Sequence, residues 1–339
     1  MSPQVPEFPP EIIILIINAS LTPYDPFGQA LDHTARYRTL RTYCLLNSIW
    51  REISQPLLNE WVMITSGKGA VELLAGARAQ GGVIKGTKSM CIFADFRWNV
   101  GIVAKLLRCA KGVQNLYLYF VQVDIVDLAA LQNIRRIALA NVNIKCDHFR
   151  HTMELQIPLL RYLDCDSSTD IEYRANFFLT PNFLPSLRHL RLVSIEGHWD
   201  ALPVIGQLSS LSTDTPRRFD FDFPDALQLL SLPLDASVRR DMISRFVSIP
   251  PFLHFAFSTP AGIVEALEEQ IASKKEGLRV IFMSHGQAAL EVKLKIVALA
   301  KELKDRGMRV EKGSIKFDDA VRRMEGILAK EKRAKDEAE

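Results

Sequence analysis

LPSLRHLRL, residues 184–192, sets Leu184, Leu187, Leu190 and Leu192 in an apolar frame whose last two members flank a polar residue. Such alternation marks a strand with one face in a core and the other outside it. The frame returns as Met90 and Ile92, as Leu116 and Leu118, as Ile134, Ile137 and Leu139, and as Leu160, Leu163 and Cys165. Downstream it recurs as Leu227, Leu230 and Leu232, as Ile249, Phe252, Phe255 and Phe257, and as Leu278, Ile281 and Met283. Between last frame positions, every step except 192 to 232 falls within about 20–29 residues, the period of a stacked strand-and-helix unit. The long step holds a degenerate copy at Leu208 and Leu211. Between copies, VELLAGARAQ (71–80) and VGIVAKLLRCA (100–110) carry apolar residues at helical spacing and supply return helices.

The frame resembles the leucine-rich repeat signature, with the asparagine that usually closes it displaced, as at Asn141 and Asn143. The resemblance implies an α/β fold: over residues 63–286, an irregular leucine-rich-repeat-like solenoid whose parallel strands line a concave face. A single unit cannot bury its own apolar side, so stacked neighbours supply the core. An alternating α/β domain with a doubly wound sheet also brings a strand about every 25 residues. The recurring inner spacing favours the solenoid. Outward strand positions on this frame include Asn115, Tyr117, Tyr119, Arg136, Tyr162, Asp164, His189, Arg191, His254 and Phe282. Aromatics and arginines dominate the row, as on a protein-binding surface.

Upstream, FPPEIIILIINASL (8–21) opens with Pro9 and Pro10, which suit a first helical turn, and Glu11, whose charge meets the positive end of the dipole. Six aliphatic residues follow, Ile12 to Ile17. A helix this apolar all round is buried on more than one side, yet it falls far short of the ~20 residues that cross a bilayer. It is expected to pack against a partner as well as its own domain. In RTLRTYCLLNSIWREISQPLLNEWV (38–62), Leu40, Tyr43, Cys44, Leu46, Ile49, Trp50 and Ile53 fall at helical spacings, and Pro56 breaks the run before Leu57 and Leu58. Two more short helices are expected.

In order and spacing, residues 8–62 resemble the F-box, a three-helix adaptor-binding module. Phe8 and Pro9 stand at the opening Leu-Pro pair, Ile12 and Ile16 at the helix positions, Leu21 at its end, and Leu46 and Trp50 in the later stretch. Phe8 replaces Leu, Asn47 replaces Cys, and the gap from Thr22 to Tyr37 is longer than usual. The resemblance implies the substrate-recognition subunit of a Skp-cullin-F-box ubiquitin ligase, a cullin-RING ligase. It would hold the Skp adaptor through Phe8, Pro9, Ile12, Ile16, Leu21, Leu46 and Trp50, and a protein substrate through Tyr117, Tyr119, Arg136, Tyr162, Asp164, His189, Arg191, His254 and Phe282. Such a subunit performs no chemistry and implies no cofactor, metal or catalytic residue; it raises the effective concentration of substrate lysines beside a ubiquitin-loaded enzyme. Two alternatives stay open: a leucine-rich-repeat scaffold without ligase role, and an α/β-sheet enzyme with polar groups converging near His285 or Gly86.

Lys and Arg total 42 against 39 Asp and Glu, so the formal net charge is only +3 and no nucleic-acid partner is implied. Cys44, Cys91, Cys109, Cys146 and Cys165 are scattered and never form a Cys-x-x-Cys pair, which speaks against a disulfide framework or zinc knuckle and for a reducing compartment, cytoplasmic or nuclear. No secretory signal or membrane-length run is read, so no membrane partner is expected. GGVIKGTK (81–88) has the wrong order for a phosphate loop, because Thr87 precedes Lys88. His148 and His151 lie three apart beside Asp147 with no further metal ligand nearby. Residues 1–7 are expected to be disordered. Toward the other end VEALEEQIAS (264–273), AALEVKLKIVALAKEL (288–303) and residues 317–339 read as helices, with 287–330 a candidate cap and 331–339 a solvated charged tail.

Overall fold

A computed structural model describes residues 8–21, 30–94, 100–146, 155–166, 169–171, 178–192, 203–213, 226–234, 250–257, 279–284, 290–305, 309–313 and 315–337. Its architecture is α/β with parallel strands. Two compact units are present: unit 1 comprises Met1–Asp164, Thr169–Phe178 and Asn182–Ser186, and unit 2 comprises Cys165–Ser168, Leu179–Pro181 and Leu187–Glu339. The division falls inside the stretch 63–286 that the sequence reads as one solenoid.

Unit 1 opens with helices α1 (Pro10–Ser20), α2 (Ala30–Cys44) and α3 (Ser48–Asn59). The Pro9 carbonyl starts α1 by accepting from the N–H groups of Ile12 and Ile13, at 3.0 and 3.1 Å. Ile13, Ile17 and Leu21 recur every four residues along one side and pack with Leu40 and Trp50 into a small core. The Tyr43 and Trp50 rings lie 5.0 Å apart within it. The chain breaks at residues 45–47 rather than at the expected Pro56, which sits inside α3. The cause is a cap: Asn47 Oδ1 accepts from the Trp50 N–H at 2.9 Å.

The parallel sheet of unit 1 runs β1 (Trp61–Ile64), β2 (Ser89–Phe93), β3 (Asn115–Tyr119), β5 (Arg136–Ala140) and β7 (Tyr162–Cys165). Helices α4 (Gly67–Ala79) and α5 (Val100–Cys109) separate the first three strands. Trp61 and Val62 therefore belong to the sheet and not to the helical module. Met90, Leu116 and Ile137 share one row, and Ile92, Leu118 and Leu139 the next; all six are buried. Three shorter strands, β4 (Gln122–Asp124), β6 (Asn143–Lys145) and β8 (Asp170–Ile171), form a second parallel sheet, with helix α6 (Ile125–Ala129) following β4. The chain turns between the two sheets at Phe120 and Asn141, with φ of 57° and 54°. Asparagine visits this left-handed region readily; phenylalanine occupies it under strain.

Unit 2 runs β9 (His189–Leu192), β10 (Ser210–Thr213), β11 (Leu229–Leu234), β12 (Phe252–Phe257), β13 (Val280–Ser284) and β14 (Arg309–Gly313), with α7 (Leu290–Asp305) and α8 (Phe317–Asp336). Leu190, Leu211, Leu230, Leu253, Ile281 and Val310 stand side by side in register, and all are buried. The degenerate copy at Leu208 and Leu211 is thus a full strand, which resolves the long step. One frame shifts: Leu253 and Phe255, not Phe255 and Phe257, align with Leu230 and Leu232. The helix expected at 264–273 lies outside the described residues, whereas α8 continues through most of the expected charged tail.

A single backbone device recurs at the start of successive strands. The carbonyls of Glu60, Lys88, Gln114 and Arg135 in unit 1, and of Arg188, Ser209 and Pro251 in unit 2, each accept from two consecutive N–H groups where the next strand begins. Strand order in the long sheet of each unit follows the chain. A doubly wound sheet reverses its order at a switch point; neither unit does. Among the described residues no helix is long and apolar enough to cross a membrane.

Candidate functional site

The helical module of unit 1 wears much of its apolar surface outside. Ile12, Ile14 and Leu15 of α1 are exposed, Leu15 by 63%, as are Phe8 before it and Leu45, Leu46 and Ile49 at the α2–α3 turn, Leu45 by 71%. A lone exposed leucine is ordinary; seven large apolar side chains exposed on one small module make it the candidate docking surface. Of the expected adaptor residues, Phe8, Pro9, Ile12 and Leu46 are exposed, while Ile16 is half-buried against the module's core. Leu21 and Trp50 are corrected: both are buried in that core, where they hold the helices together and offer nothing to a partner. Sequence reading missed Ile14, Leu15, Leu45 and Ile49 as outward anchors. The signal was there, in a helix apolar all round and a leucine pair beyond a helix end. Which side turns inward is decided by the docking of α1 on α3.

In unit 1 the sheet face opposite the aliphatic rows carries Trp61, Ser89, Asn115 and Arg136 in one row and Met63, Cys91, Tyr117 and Ala138 in the next. Trp61, Cys91 and Tyr117 close into a buried cluster backed by Met63, Tyr119 and Ala138, with the Trp61 and Tyr117 rings 6.1 Å apart. Burial pushes the Cys91 thiol up to about 12, so it stays neutral. Tyr117, 1% exposed, and Asp164 are corrections to the expected displayed row. Strands about 4.8 Å apart bring large side chains on this face into mutual contact, and they cover one another. Tyr119, Arg136 and Tyr162 remain half-exposed, with the Arg136 guanidinium 4.3 Å from the Tyr162 ring centroid.

In unit 2 the corresponding face is covered and mixed, with buried Leu229, Phe252, Val280 and Phe282 beside buried serines and histidines. Register places His189 beside Ser210, and Arg191, Ser212, Ser231, His254, Phe282 and Glu311 in one continuous row. Helix α8 packs on β11 and β12, burying Phe317, Ala320, Val321 and Met324. His189 Nδ1 is 2.8 Å from Ser210 Oγ, and its Nε2 is 3.4 Å from Glu325 Oε1 of α8. His254 Nδ1 is 2.8 Å from Ser231 Oγ, and its Nε2 is 2.9 Å from the Ile315 carbonyl just before α8. Burial lowers the His254 pKa to about 4, with Arg191 adding to the fall and the Ile315 carbonyl and Asp319 opposing it. The neutral ring must donate from Nε2, because a carbonyl only accepts; Nδ1 then accepts from the Ser231 hydroxyl. His189, His254 and Phe282 are corrections as displayed residues, since all three are buried. Arg191 is half-exposed.

Ser210, His189 and Glu325 have the order of a hydrolytic triad. Ser210 is completely buried at the start of β10, however, with ladder partners on both sides. Its neighbours' N–H groups belong to the ladder, so none is free to hold an oxyanion. In GGVIKGTK, Gly81, Gly82 and Gly86 have φ of 81°, 80° and 77°, which makes the segment a turn. Thr87 Oγ1 donates to the Asn59 carbonyl at 3.0 Å and Lys88 Nζ to Glu60 Oε1 at 2.7 Å, so both groups that a phosphate loop would use are spent fastening the end of α3 to the sheet. His148, His151 and His285 lie outside the described residues. Among the described residues no three His, Cys, Asp or Glu side chains converge as a metal site. In comparisons with known proteins, no family model matches this sequence and no curated protein matches it significantly.

Proposed function

We propose that the chain is the substrate-recognition subunit of a Skp-cullin-F-box ubiquitin ligase, with residues 8–60 an F-box and the strands that follow a leucine-rich-repeat-like solenoid. The observation that carries this reading is the apolar surplus of α1 and the α2–α3 turn: Phe8, Ile12, Ile14, Leu15, Leu45, Leu46 and Ile49 stay outside although the module already has a core. Burying one such side chain against an adaptor contributes ~1.5–3 kcal/mol. Sequential strand order and the recurring carbonyl device support the repeat half of the reading. The half-exposed Tyr119, Arg136 and Tyr162 are substrate-face candidates in unit 1, and Arg191 in unit 2.

The test is capture of purified Skp adaptor by the full chain. Wild type binds; Ile12→Asp with Leu15→Asp lowers affinity about tenfold or more, the equivalent of ~1.4 kcal/mol. Ile16 is unsuited to this test because it also packs inward. A folded wild-type chain that ignores the adaptor leaves the scaffold reading in its place.

A further inference from the structure

The residues that lead into the strands of unit 1 form a ladder of their own. The Lys88 N–H donates to the Glu60 carbonyl at 2.9 Å, Gln114 to Lys88 at 2.8 Å, Arg135 to Gln114 at 2.7 Å and Arg161 to Arg135 at 2.9 Å. Glu60, Lys88, Gln114, Arg135 and Arg161 therefore stand in line along one edge of the sheet, neighbours about 4.8 Å apart. At the first step the side chains meet, and they are matched: Lys88 Nζ lies 2.7 Å from Glu60 Oε1. At the last step the same two positions hold Arg135 and Arg161, cation beside cation. Both are exposed, and neither side chain has an ion pair or hydrogen bond among the described residues. Like charges facing each other across neighbouring strands are destabilising. Elsewhere in unit 1 a cation next to the sheet has its acid, as Arg108 has Asp127 at 2.9 Å.

Nothing nearby supplies an anion to this pair. Residues 80–88, 110–114, 130–135 and 155–161, which lead into β2, β3, β5 and β7, contain Lys85, Lys88, Lys111, Arg135 and Arg161 and no Asp or Glu. The next position along each of the last two strands adds a third guanidinium already held in place, since Arg136 lies 4.3 Å from the Tyr162 ring centroid. We propose that this strand-entry edge, centred on Arg135 and Arg161 with Arg136 beside them, binds an acidic segment of a protein through its carboxylates. The planar guanidinium fork matches a carboxylate with two parallel hydrogen bonds, and an arginine stacked on tyrosine is the kind of group on which protein interfaces concentrate their energy. Nucleic acid fits less well: a formal net charge of +3 supplies little attracting field for a phosphate backbone. Only the word substrate, applied to that segment, rests on the receptor reading.

The test is fluorescence anisotropy with the full chain and a labelled Glu-Ser-Glu-Ser-Glu peptide, whose carboxylates fall on one side when the peptide is extended. Wild type binds it, and more weakly as salt rises. Arg135→Ala with Arg161→Ala lowers affinity about tenfold or more, whereas Lys301→Ala with Lys304→Ala, which removes the same charge from exposed positions of α7, leaves it within about twofold. No binding by wild type at low salt, or equal losses in the two double variants, overturns the proposal. Tighter binding of oligothymidylate than of the peptide, lost with the two arginines, overturns it too, because the edge would then be a nucleic-acid site. Arg161→Glu recreates at the last step the pairing seen between Lys88 and Glu60; it should abolish peptide binding without lowering the melting temperature. A melting temperature several degrees lower would mean that the fold itself holds the Arg161 side chain, and the proposal falls. Skp capture, measured on the same proteins, is expected to be unchanged by the arginine substitutions. Its absence from a wild-type chain that still binds the peptide would remove the ligase reading and leave this edge standing.

Discussion

Helices α1 and α8 handle their apolar residues in opposite ways. In α1 only Ile13 and Ile17 are buried, while Ile12, Ile14 and Leu15 remain outside. In α8 every large apolar residue of the first two turns, Phe317, Val321 and Met324, is buried, and the outer side is charged. The contrast separates a helix that leaves part of its apolar surface exposed from one that covers that of its first two turns within its own unit. An apolar excess on a module with a finished core points outward; a mixed sheet face, apolar beside Leu229 and Phe252 and polar at its histidines, is closed by the chain's own helix.

The sharpest break of this contrast is within α1 itself. Ile17→Ala removes a fully buried side chain and is expected to destabilise the helical module by ~2–5 kcal/mol in denaturant titration. Leu15→Asp, two residues away on the outer side, should shift stability by no more than ~0.5 kcal/mol. Equal losses would mean that Leu15 is covered and the outward surface misassigned.

A smaller effect tests α8 through pH. His254 has a folded pKa of about 4 against an ordinary 6.5. As pH falls the unfolded chain takes the proton first, so stability rises with pH across this window. The contribution is complete above pH 6.5 and is lost as pH falls toward about 4, by up to ~3 kcal/mol at 1.36 kcal/mol per unit. Amide protection of β11 and β12 should weaken over that range in wild type and follow a flatter course in His254→Gln. Identical slopes would show that the Ile315–His254 contact does not govern the docking of α8.

Smallest of all is the ion pair near the outer end of α8. Glu331→Ala should cost under ~1 kcal/mol, and still less in high salt, because both side chains of the Arg279–Glu331 pair are about half exposed. A loss of several kcal/mol in a melting series would mean that the charged end of α8 is as firmly held as its apolar start, and the distinction drawn above would blur.

The strand rows were legible because a period-two pattern repeated at a near-constant step needs no knowledge of the neighbours: Met90, Leu116 and Ile137 align as their spacing implies. The frame failed locally at β12, where Phe255 and Phe257 satisfy the pattern as well as Leu253 and Phe255 do. An apolar run offers two registers two residues apart, and only pairing with β11 chooses between them. The displayed row was read correctly as a face, but Tyr117, Asp164, His189, His254 and Phe282 in it are covered, while Tyr119, Arg136, Tyr162 and Arg191 stay half-exposed. Alternation assigns a side, but it does not say what lies over that side.

The amino-acid sequence by itself determined the α/β class, the strand positions and the early helical module, because backbone dihedrals, capping and hydrophobic periodicity are local properties. Burial was not local. That Trp50 is core and Leu45 is not, that Tyr117 is covered by Trp61, and that His254 faces the Ile315 carbonyl 61 residues away all depend on long-range packing. Side chains with two available environments take the one that the tertiary fold completes, and no spacing along the chain encodes that choice.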